Sequence, residues 1–379
     1  MRPIYLYDTA GLHRHAADIR SSLPPGVELL YAMKANPAAE ILRTLASHVT
    51  GFEVASGGEL RHLAGCLPGV TPAAFGGPGK TDPDLAAGLA AGVHRFHVES
   101  GYELRRLSML AASRGVTADV LLRVNLPAST EGAVLVRGGK PSPFGMDPAE
   151  ARECLGLNLP GVRIRGVHAH LASGLSAAAA AGLARRIVEW AVAELDAAEV
   201  NIGGGMAVDY TDPGRRFDWP EYGRSLAALR SEYPGVVLRV EPGRAITAYC
   251  GWYVTEVLDV KRSGGEWFAV LAGGTHHLRT PAAKGHSQPF TVTPRKAWHQ
   301  PMPRPRSGAG PVTLVGQLCT PKDVLARCAG PLDIAVGDIV AFGMAGAYAW
   351  NISHRDFLMH DPPEFVVGDL DKVIRELLV

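Results

Sequence analysis

Eight apolar runs of strand length recur along the first two thirds of the chain, with longer helix-forming stretches between them. The runs lie at 27–34, 50–56, 72–77, 94–100, 119–125, 162–170, 199–205 and 236–243. The intervening stretches predict helices, the clearest of them at 38–47, 101–113 and 176–195. Strands that alternate with helices are typical of an α/β fold, and eight of them predict a (β/α)8 barrel over residues 27–245. A doubly wound open sheet stays the alternative, because a count of strands does not distinguish the two folds.

The pattern changes after Arg244, where strand-forming segments follow one another with turns between them. GWYVTEVLDVKRSGGEWFAV (251–270) predicts two strands joined at SGG, and PLDIAVGDIVAFG and PEFVVGDL add further strands. Residues 293–311, rich in proline and basic side chains, predict an exposed loop. We therefore expect a mainly β domain of residues 246–379 together with residues 1–26, in which IYLYD forms one more strand.

The composition narrows the class of protein. The chain has 379 residues, of which 47% are hydrophobic and 20% charged, as in ordinary soluble globular proteins. Its formal net charge of +1 gives no reason to expect nucleic acid or an anionic membrane as a partner. We find no apolar run of about 18 residues that predicts a transmembrane helix and no signal peptide. The five scattered cysteines form no metal-binding pair and favour the reducing cytoplasm over a disulfide framework.

Side chains that can carry out chemistry stand near the ends of the predicted strands. They are Lys34, Glu53, Arg123, His170, Ser173, Gly203, Gly204, Gly205, Glu241, Gly243 and Arg244. In a (β/α)8 barrel the C-terminal ends of the strands form one face, where active sites lie. Each residue alone has an ordinary structural explanation, such as a strand-end lysine or a hydrogen-bonded core histidine. Separate structural roles do not readily explain why all of these residues fall at the same face of the predicted barrel.

Together these groups match the needs of pyridoxal 5′-phosphate. The cofactor requires a lysine for covalent attachment, a group that faces its ring nitrogen and a cradle for its phosphate. Lys34 can provide the first and Glu241 the second. Backbone N–H groups of the GGG run can converge on a phosphate without interference from Cβ atoms, and Arg244 adds a positive charge. His170 can stack on the face of the ring.

The sequence resembles the fold-type III pyridoxal phosphate enzymes, which include diaminopimelate, ornithine and arginine decarboxylases and alanine racemase. YAMKAN resembles their cofactor-lysine motif, and FEVASGGEL resembles a second-strand motif in which Glu53 replaces the usual aspartate. HAHLASG resembles the block with a ring-stacking histidine and a phosphate-binding serine, here His170 and Ser173. NIGGG and EPGR are similar to the phosphate loop and to the motif of the ring-nitrogen carboxylate.

Two further blocks extend the resemblance over nearly the whole chain. GQLCTPKD resembles the block of a cysteine that enters the partner subunit's site, and GAY that of a phosphate-binding tyrosine, here Cys319 and Tyr348. The resemblance implies an alanine racemase-like TIM barrel with a mainly β C-terminal domain. It also implies a homodimer with shared active sites, in which Cys319 and Asp323 act on the neighbour's cofactor.

Glu241 favours decarboxylation over racemisation. A carboxylate beside the ring nitrogen favours the protonated ring, because an opposite charge stabilises the charged form. Such a ring accepts the electron pair left when CO2 departs, whereas the alanine racemases of this fold place an arginine there. The resemblance implies Cys319 as the acid that then returns a proton to Cα. A non-catalytic pyridoxal-binding protein of this barrel fold lacks the β domain that this sequence predicts.

The residues expected to contact the substrate differ from those of the best-known relatives. Diaminopimelate decarboxylases carry Glu-Ser after the cysteine and ornithine decarboxylases carry Asp-Gly, whereas this chain has Thr320 and Pro321. Residues 273–290 are rich in basic and imidazole groups, which suit an anionic, carboxylate-rich substrate. A solvated loop is the alternative explanation for that segment. We expect substrate contacts from His277, Arg279, Thr320 and Asp323.

Three segments are most similar to the decarboxylases of carboxylate siderophore pathways, of the achromobactin and staphyloferrin B type. They are GAYAWNISHRDFLMHDPPEF, LCTPKDVLA and HHLRTPAAKGH. This likeness implies decarboxylation of an L-amino acid joined to citrate, such as citryl-diaminopropionate. A diaminopimelate decarboxylase, or a decarboxylase of a carrier-bound glutamyl group, remains the alternative. The sequence leaves open which of four basic side chains face the substrate, namely His276, His277, Lys284 and His286.

Overall fold

The computed structural model describes residues 1–127, 135–136 and 141–377. The chain divides into two compact units. The barrel unit consists of His13–Ala207 and Arg216–Ile246, and the β-rich unit of Met1–Leu12, Val208–Arg215 and Thr247–Val379. Among the described residues, no helix is both long enough and apolar enough to cross a membrane.

The barrel unit contains a closed barrel of eight parallel strands. In chain order these strands are Val27–Ala32, Gly51–Val54, Ala74–Phe75, Arg95–Val98, Ala118–Arg123, Val162–His168, Glu199–Asn201 and Val237–Val240. The last strand pairs with the first, with Leu238 beside Val27, and this pairing closes the cylinder. Each of the eight apolar runs overlaps one of these strands, so the predicted (β/α)8 barrel is confirmed. The closure excludes the doubly wound open sheet, which has two free edges.

Helices follow the strands, and several begin at a hydroxyl residue that caps the first turn. Ser56 and Ser100 each accept a hydrogen bond from the backbone N–H three residues on, at Glu59 and Glu103. The caps stop each strand and start a helix at the C-terminal face of the barrel. The helices that lie within the barrel unit are Ala39–Leu45, Gly57–Cys66, Asp82–Ala90, Gly101–Ala112, Pro148–Leu155, Ala177–Leu195 and Trp219–Glu232.

Two helices and two short strands complete the elements around the barrel. Thr9–Ser22 precedes the first barrel strand, and Arg244–Thr247 follows the last one. Leu135–Val136 and Ala172–Ser173 form a two-stranded antiparallel sheet outside the barrel. This small sheet fixes the backbone at Ser173, one of the predicted site residues.

An ion-pair network lies at the N-terminal ends of the barrel strands. The Glu199 carboxylate accepts hydrogen bonds from three guanidiniums, those of Arg95, Arg165 and Arg239, at 2.6 to 3.0 Å. Its side chain is only 4% exposed. Burial alone would raise the pKa of Glu199, but the three guanidiniums outweigh it and lower the pKa to about 2. The network therefore holds neighbouring strand starts together at the face opposite the predicted site.

The β-rich unit is built on one mixed sheet of eight strands. Ile4–Tyr7 pairs antiparallel with Gly251–Ser263 and parallel with Glu364–Val367, so both chain ends join the sheet. The predicted hairpin at SGG is confirmed, since Gly264 and Gly265 turn the chain with φ of 58° and 88°. The other strands are Glu266–Leu271, Phe290–Thr293, Gly310–Val315, Val324–Leu332 and Ile339–Phe342, and the helices are Thr280–Lys284 and Leu370–Leu377.

Candidate active site

Lys34 lies in a short 3-10 turn, Met33–Ala35, directly after the first barrel strand. Its Nζ is 2.6 Å from Glu53 Oε2, which belongs to the second strand. The lysine side chain is 44% exposed, whereas that of Glu53 is 4% exposed. The backbone just before this turn is fixed to the eighth strand end, because the Ala32 N–H donates to the Pro242 carbonyl of the EPGR motif. An accessible amine is therefore held at the C-terminal face beside a buried carboxylate.

Burial changes the acidity of Glu53. It raises the pKa of that carboxyl above its ordinary value, while the charge and hydrogen bond of Lys34 oppose the shift and Glu241 adds to it. The buried Glu53 carboxyl is therefore more basic than an exposed one, and it lies within hydrogen-bonding distance of the Lys34 amine.

Glu241 follows the last barrel strand and is held by hydrogen bonds from two polar side chains, with a third close by. Asn201 Nδ2 donates to Oε1 at 2.6 Å, and His168 Nε2 lies 3.2 Å from Oε2. Because a carboxylate accepts, His168 Nε2 carries the proton of this bond. His97 Nε2 lies 3.8 Å from Oε1. The carboxylate is thus fixed in the buried centre of the barrel mouth with its orientation set by neighbours.

His97 and His168 form a stacked pair behind that carboxylate. Their ring centroids are 4.1 Å apart and their planes differ by 11°. Burial lowers the pKa of both imidazoles well below 6.5, with additional effects of His168 on His97 and of Arg123 on His168. The pair is therefore neutral, and His168 acts as a hydrogen-bond donor without adding charge.

The glycine run after the seventh strand approaches other backbone so closely that larger residues do not fit. A Cβ on Gly204 would lie 2.3 Å from the Glu241 carbonyl oxygen, and Gly203 and Gly205 have φ of 69° and 101°. The Gly204 N–H donates to His170 Nδ1 and the Gly203 N–H to Asn201 Oδ1, both at 3.0 Å. The run therefore positions His170 as well as the backbone beside Glu241.

Ser173, Gly243 and Arg244 also lie at this face. The Gly174 N–H donates to the Gly205 carbonyl at 2.8 Å, which places Ser173 beside the glycine run. A Cβ on Gly243 would lie 2.8 Å from the Ala35 side chain, so a glycine is needed where EPGR passes the lysine turn. Arg244 is half-buried at the start of the short helix Arg244–Thr247.

Arg123 is paired within the protein. Its guanidinium donates to the Glu99 carboxylate, and it lies over the Phe144 ring at 5.1 Å. The same carboxylate accepts from the Gly145 N–H at 2.9 Å. Arg123 consequently holds the segment around Gly145 against the barrel, in addition to any contact with a ligand.

In the β-rich unit, the remaining predicted residues lie on three loops that we call the loop cluster, residues 273–281, 316–323 and 346–361. Asp323 joins the first two, since its oxygens accept from the Thr275 N–H at 2.6 Å and the Leu318 N–H at 2.9 Å. Thr280 Oγ1 donates to the Tyr348 carbonyl at 2.7 Å and joins the first loop to the third. These bonds hold the loops in one arrangement.

Residues of the loop cluster differ in their accessibility. Cys319 is exposed and forms no disulfide, while Arg279, Thr320 and Tyr348 are half-buried. Arg279 Nη1 lies 3.1 Å from His354 Nδ1. These four side chains are therefore at least partly accessible from solvent.

Two residues that we expected to contact substrate lie inside the loop cluster instead. Asp323 is 2% exposed, and both of its oxygens already accept backbone hydrogen bonds. His277 is also 2% exposed, with Nδ1 3.1 Å from the Tyr253 hydroxyl and Nε2 2.9 Å from the Asp361 carbonyl. Their positions give both residues a structural role, because buried polar groups require partners and these have found them.

The histidines of the first loop add no positive charge. Burial lowers the pKa of His277 to about 3 and that of His276 to about 4. Lys284 and His286 pack on the Tyr210 ring, at 5.2 Å and 4.4 Å. Arg279 is thus the permanent cation of residues 273–281.

The sequence analysis missed the polar residues that surround Glu241, namely His97, His168 and Asn201, of which His168 and Asn201 hydrogen-bond to it. A signal was present, because each is a polar residue inside a barrel strand that is otherwise apolar. A polar side chain in a buried strand needs a polar partner. Nothing in the sequence, however, identified that partner as Glu241.

Comparison with known proteins agrees with this geometry. Residues 9–248 match the family model of the pyridoxal-dependent decarboxylases, described as their pyridoxal binding domain. The chain belongs to this family. It is a decarboxylase that uses pyridoxal phosphate.

Relatives of this decarboxylase span most of its length. One is the 2-[(L-alanin-3-ylcarbamoyl)methyl]-2-hydroxybutanedioate decarboxylase of Staphylococcus aureus, 39% identical, with 96% of this chain and 93% of the relative covered. Another is the diaminopimelate decarboxylase of Vibrio cholerae, 31% identical, with coverages of 93% and 84%. The crystal structure of diaminopimelate decarboxylase from Helicobacter pylori with L-lysine matches at a TM-score of 0.83 and 23% identity, covering 97% of this chain and 92% of that one.

The groups in the decarboxylase barrel fit the cofactor. The fit rests on an accessible amine at Lys34, a buried carboxylate at Glu241 and a glycine run too close to other backbone to admit a Cβ. The imidazoles behind Glu241 are neutral and add no positive charge beside it. If the cofactor binds here, Lys34 would be available to attach it and Glu241 to face its ring nitrogen.

Proposed function

We propose that this decarboxylase removes the α-carboxylate of an L-amino acid joined to citrate, such as citryl-diaminopropionate, in carboxylate siderophore assembly. The observation that carries the proposal is the charge of the first two loops of the loop cluster. In residues 273–281 and 316–323 the one acidic side chain, Asp323, is buried and fully hydrogen-bonded, while Arg279 is accessible. Such a surface favours a substrate with several carboxylates.

The relative from Staphylococcus aureus supports the same substrate class. Its name describes an L-alanine joined through its third carbon, by an amide, to a hydroxybutanedioate. That molecule is a citrate-type group with free carboxylates and a reacting amino acid. The Vibrio cholerae relative supports diaminopimelate as the second candidate, although Thr320 and Pro321 replace the acid expected after the cysteine in that class.

In this proposal the barrel residues hold the cofactor. Lys34 attaches it, Glu241 faces the ring nitrogen and His170 lies on the ring face. We place the phosphate beside Ser173, Gly205, Gly243 and Arg244, next to Gly203 and Gly204, whose N–H groups already donate to Asn201 and His170. Glu53 and Arg123 complete the surroundings. When bound, pyridoxal phosphate supplies an electron-withdrawing ring that accepts the electron pair released as CO2 leaves.

The chain's own residues then complete the reaction. Arg279 and Thr320 orient the distal part of the substrate, so that the Cα–carboxylate bond is the one that breaks. The Cys319 thiol delivers a proton to Cα, where a C–H bond replaces the lost carboxylate. Because the cysteine is exposed in its own β-rich unit, we assign it to the site of a second subunit.

The function is tested by CO2 release from four compounds: citryl-diaminopropionate, free L-2,3-diaminopropionate, meso-diaminopimelate and a carrier-bound glutamyl group. We expect kcat/KM to be about 10- to 100-fold higher for the citryl conjugate, the effect of one or two charge-assisted hydrogen bonds. Arg279→Gln should remove most of this preference, and Arg262→Gln, at the exposed hairpin turn, should not. Faster release from diaminopimelate would overturn the proposal in favour of the second candidate.

Cys319→Ala tests the proton donor. We expect kcat to fall about 10²- to 10⁴-fold, the usual contribution of a general acid, while the visible absorbance of bound cofactor stays unchanged. Cys328→Ala, in the strand Val324–Leu332, is the matched control and should retain the wild-type rate. A Cys319→Ala enzyme that forms clean amine product at a normal rate would remove this residue from the mechanism.

We also propose a homodimer with shared sites. The third loop and the strand after it expose six large apolar side chains, at Ile352, Phe357, Leu358, Met359, Phe365 and Val367, of which Met359 is 91% exposed. Exposed apolar side chains in one segment are typical of a surface that another chain covers. A second copy of this chain would cover that surface and bring Cys319 to its partner.

Mixing two inactive variants tests the shared site. Lys34→Ala and Cys319→Ala chains, unfolded and refolded together, should regain about a quarter of wild-type activity, because half the random dimers have one intact site. Each variant refolded alone serves as the control. No recovery from a mixture shown by mass to contain mixed dimers would contradict shared sites.

A further inference from the structure

We propose that His354 is a specificity residue: it fixes the Arg279 guanidinium and presents its own Nε2–H to the anionic part of the substrate. The inference rests on the proposed function, because it concerns the group that distinguishes a citrate conjugate from a free amino acid. His354 belongs to the third loop of the loop cluster and has no part in the cofactor contacts described above.

The hydrogen bond between the two side chains determines the state of the imidazole. Arg279 Nη1 lies 3.1 Å from His354 Nδ1. A guanidinium has only N–H donors, so Nδ1 is the acceptor and bears no proton. The ring proton is therefore on Nε2. Burial and the charge of Arg279 also lower the pKa of His354, which keeps the ring neutral.

The backbone on both sides of this pair is fixed. Ser353 Oγ donates to the His277 carbonyl at 2.8 Å, directly before His354. Thr280 Oγ1 donates to the Tyr348 carbonyl at 2.7 Å, directly after Arg279. The guanidinium of the neighbouring Arg355 lies over the Trp350 ring at 4.4 Å, so it is not part of the Arg279–His354 pair. The Arg279–His354 pair is consequently held in one geometry.

The pair offers a surface made only of donors. Arg279 uses one N–H on His354 and retains the others, and the Nε2–H of His354 lies on the opposite side of its ring from Nδ1. A carboxylate is acceptor-only, and two carboxylates on one substrate group can accept from two adjacent donors. A guanidinium that is already oriented also loses less conformational freedom when it binds.

The pair has a fixed relation to the catalytic cysteine. Asp323 accepts from Thr275 in the loop of Arg279 and from Leu318, the residue before Cys319. A substrate held by Arg279 and His354 is thus held by the same framework that positions the thiol. The Arg279–His354 pair recognises the distal carboxylates of the substrate and does not contact its reacting end.

Two substitutions separate the functions of the imidazole. His354→Leu removes both the acceptor for Arg279 and the Nε2–H. His354→Asn keeps an acceptor near the position of Nδ1 and loses the Nε2–H.

Steady-state kinetics are measured with citryl-diaminopropionate and with free L-2,3-diaminopropionate. Binding of citrate alone to the holoenzyme is measured by calorimetry. His299→Leu, an exposed histidine of the loop between strands, is the matched control.

We expect His354→Leu to raise KM for the citryl conjugate about tenfold or more and to weaken citrate binding equally, the loss of a charge-assisted hydrogen bond. His354→Asn should lie between it and the wild type, because Arg279 keeps its partner. KM for free diaminopropionate and the visible absorbance of bound cofactor should not change, and His299→Leu should match the wild type in every measurement.

Three results would overturn the inference. Unchanged KM and citrate affinity in both variants would mean that His354 does not recognise the substrate. Equal increases in KM for both substrates would assign it a structural role only. These two results can also be read from His354→Asn alone, should His354→Leu fail to fold, as judged by its thermal transition. The third result concerns the wild type. A wild-type enzyme that does not prefer the conjugate overturns the proposed function itself, together with this inference.

Discussion

The amine of Lys34 and the carboxylate of Glu53 lie 2.6 Å apart at the barrel mouth, and burial raises the pKa of the carboxyl. An amine must lose its proton before it can attack an aldehyde. A carboxylate whose pKa is raised by burial is a better proton acceptor than one in water. At the scale of single residues, we propose that Glu53 accepts the proton that Lys34 must lose before the cofactor attaches.

Lys34→Ala should lose the visible absorbance that arises from covalently attached cofactor, because no other described amine takes its place beside Glu53. Glu53→Gln should retain this band but acquire it more slowly when pyridoxal phosphate is added to the apoprotein. Lys372→Ala, on the exposed face of the helix Leu370–Leu377, should behave as the wild type. A normal band in Lys34→Ala would show that another lysine binds the cofactor.

Sequence motifs identified single residues better than they identified partners. Lys34 and Glu241 were found because short motifs contain them. His168 was overlooked beside His170, although they are two residues apart and the first holds Glu241. His277 was predicted to face the substrate but is buried. A motif shows which residue type is present, whereas its hydrogen-bond partners come from strands that are distant in the sequence.

At the scale of elements, the strands of the barrel were predictable because each is buried on both faces. Such strands form continuous apolar runs, and all eight runs overlap one. The loop cluster was not predictable in the same way. Its arrangement depends on single side chains, such as Asp323 and Thr280, that hydrogen-bond to backbone groups of another loop.

Gly204→Ala tests the close approach of the seventh and eighth strand ends. The new Cβ would lie 2.3 Å from the Glu241 carbonyl, so we expect a loss of about 1–3 kcal/mol in unfolding free energy from overpacking. Cofactor affinity should fall as well, because the displaced backbone carries Glu241. Gly182→Ala, in the helix Ala177–Leu195, meets no atom within 4 Å and should be neutral or stabilising. Equal denaturation curves for the two variants would contradict this argument.

At the scale of the whole molecule, the two ends of the barrel contain different kinds of charged groups. The C-terminal face brings together the accessible amine of Lys34 and the carboxyl of Glu53, whose pKa is raised by burial. The N-terminal face contains the paired network around Glu199, in which three guanidiniums neutralise one buried carboxylate. The first face is arranged for chemistry, and the second contributes to stability.

Glu199→Gln should lower the unfolding free energy at pH 7 by about 1.5–3 kcal/mol, because three guanidiniums lose a charged hydrogen-bond acceptor. The loss stays moderate because Arg95 keeps its pair with Asp119 and Arg239 its pair with Glu28. The folded-state pKa of about 2 lies below the ordinary 4.5, so the wild-type contribution is present above pH 4.5 and is lost as pH falls towards 2. Urea unfolding between pH 7 and pH 3 should therefore show a flatter pH dependence in the variant. Glu189→Gln, an exposed pair, should change little. Parallel curves for wild type and Glu199→Gln would contradict this.

The hydrogen bonds of Asp323 also bear on how such an enzyme can acquire a new substrate. In our proposal the groups that choose the substrate lie on the loop cluster, and those that attach the cofactor lie in the barrel unit. Selectivity can then diverge while the cofactor machinery stays the same. The loops depend on one another through Asp323 and Thr280, however, so replacing one alone leaves buried groups unpaired. A transplant of substrate preference between relatives should therefore move all three loops as a set.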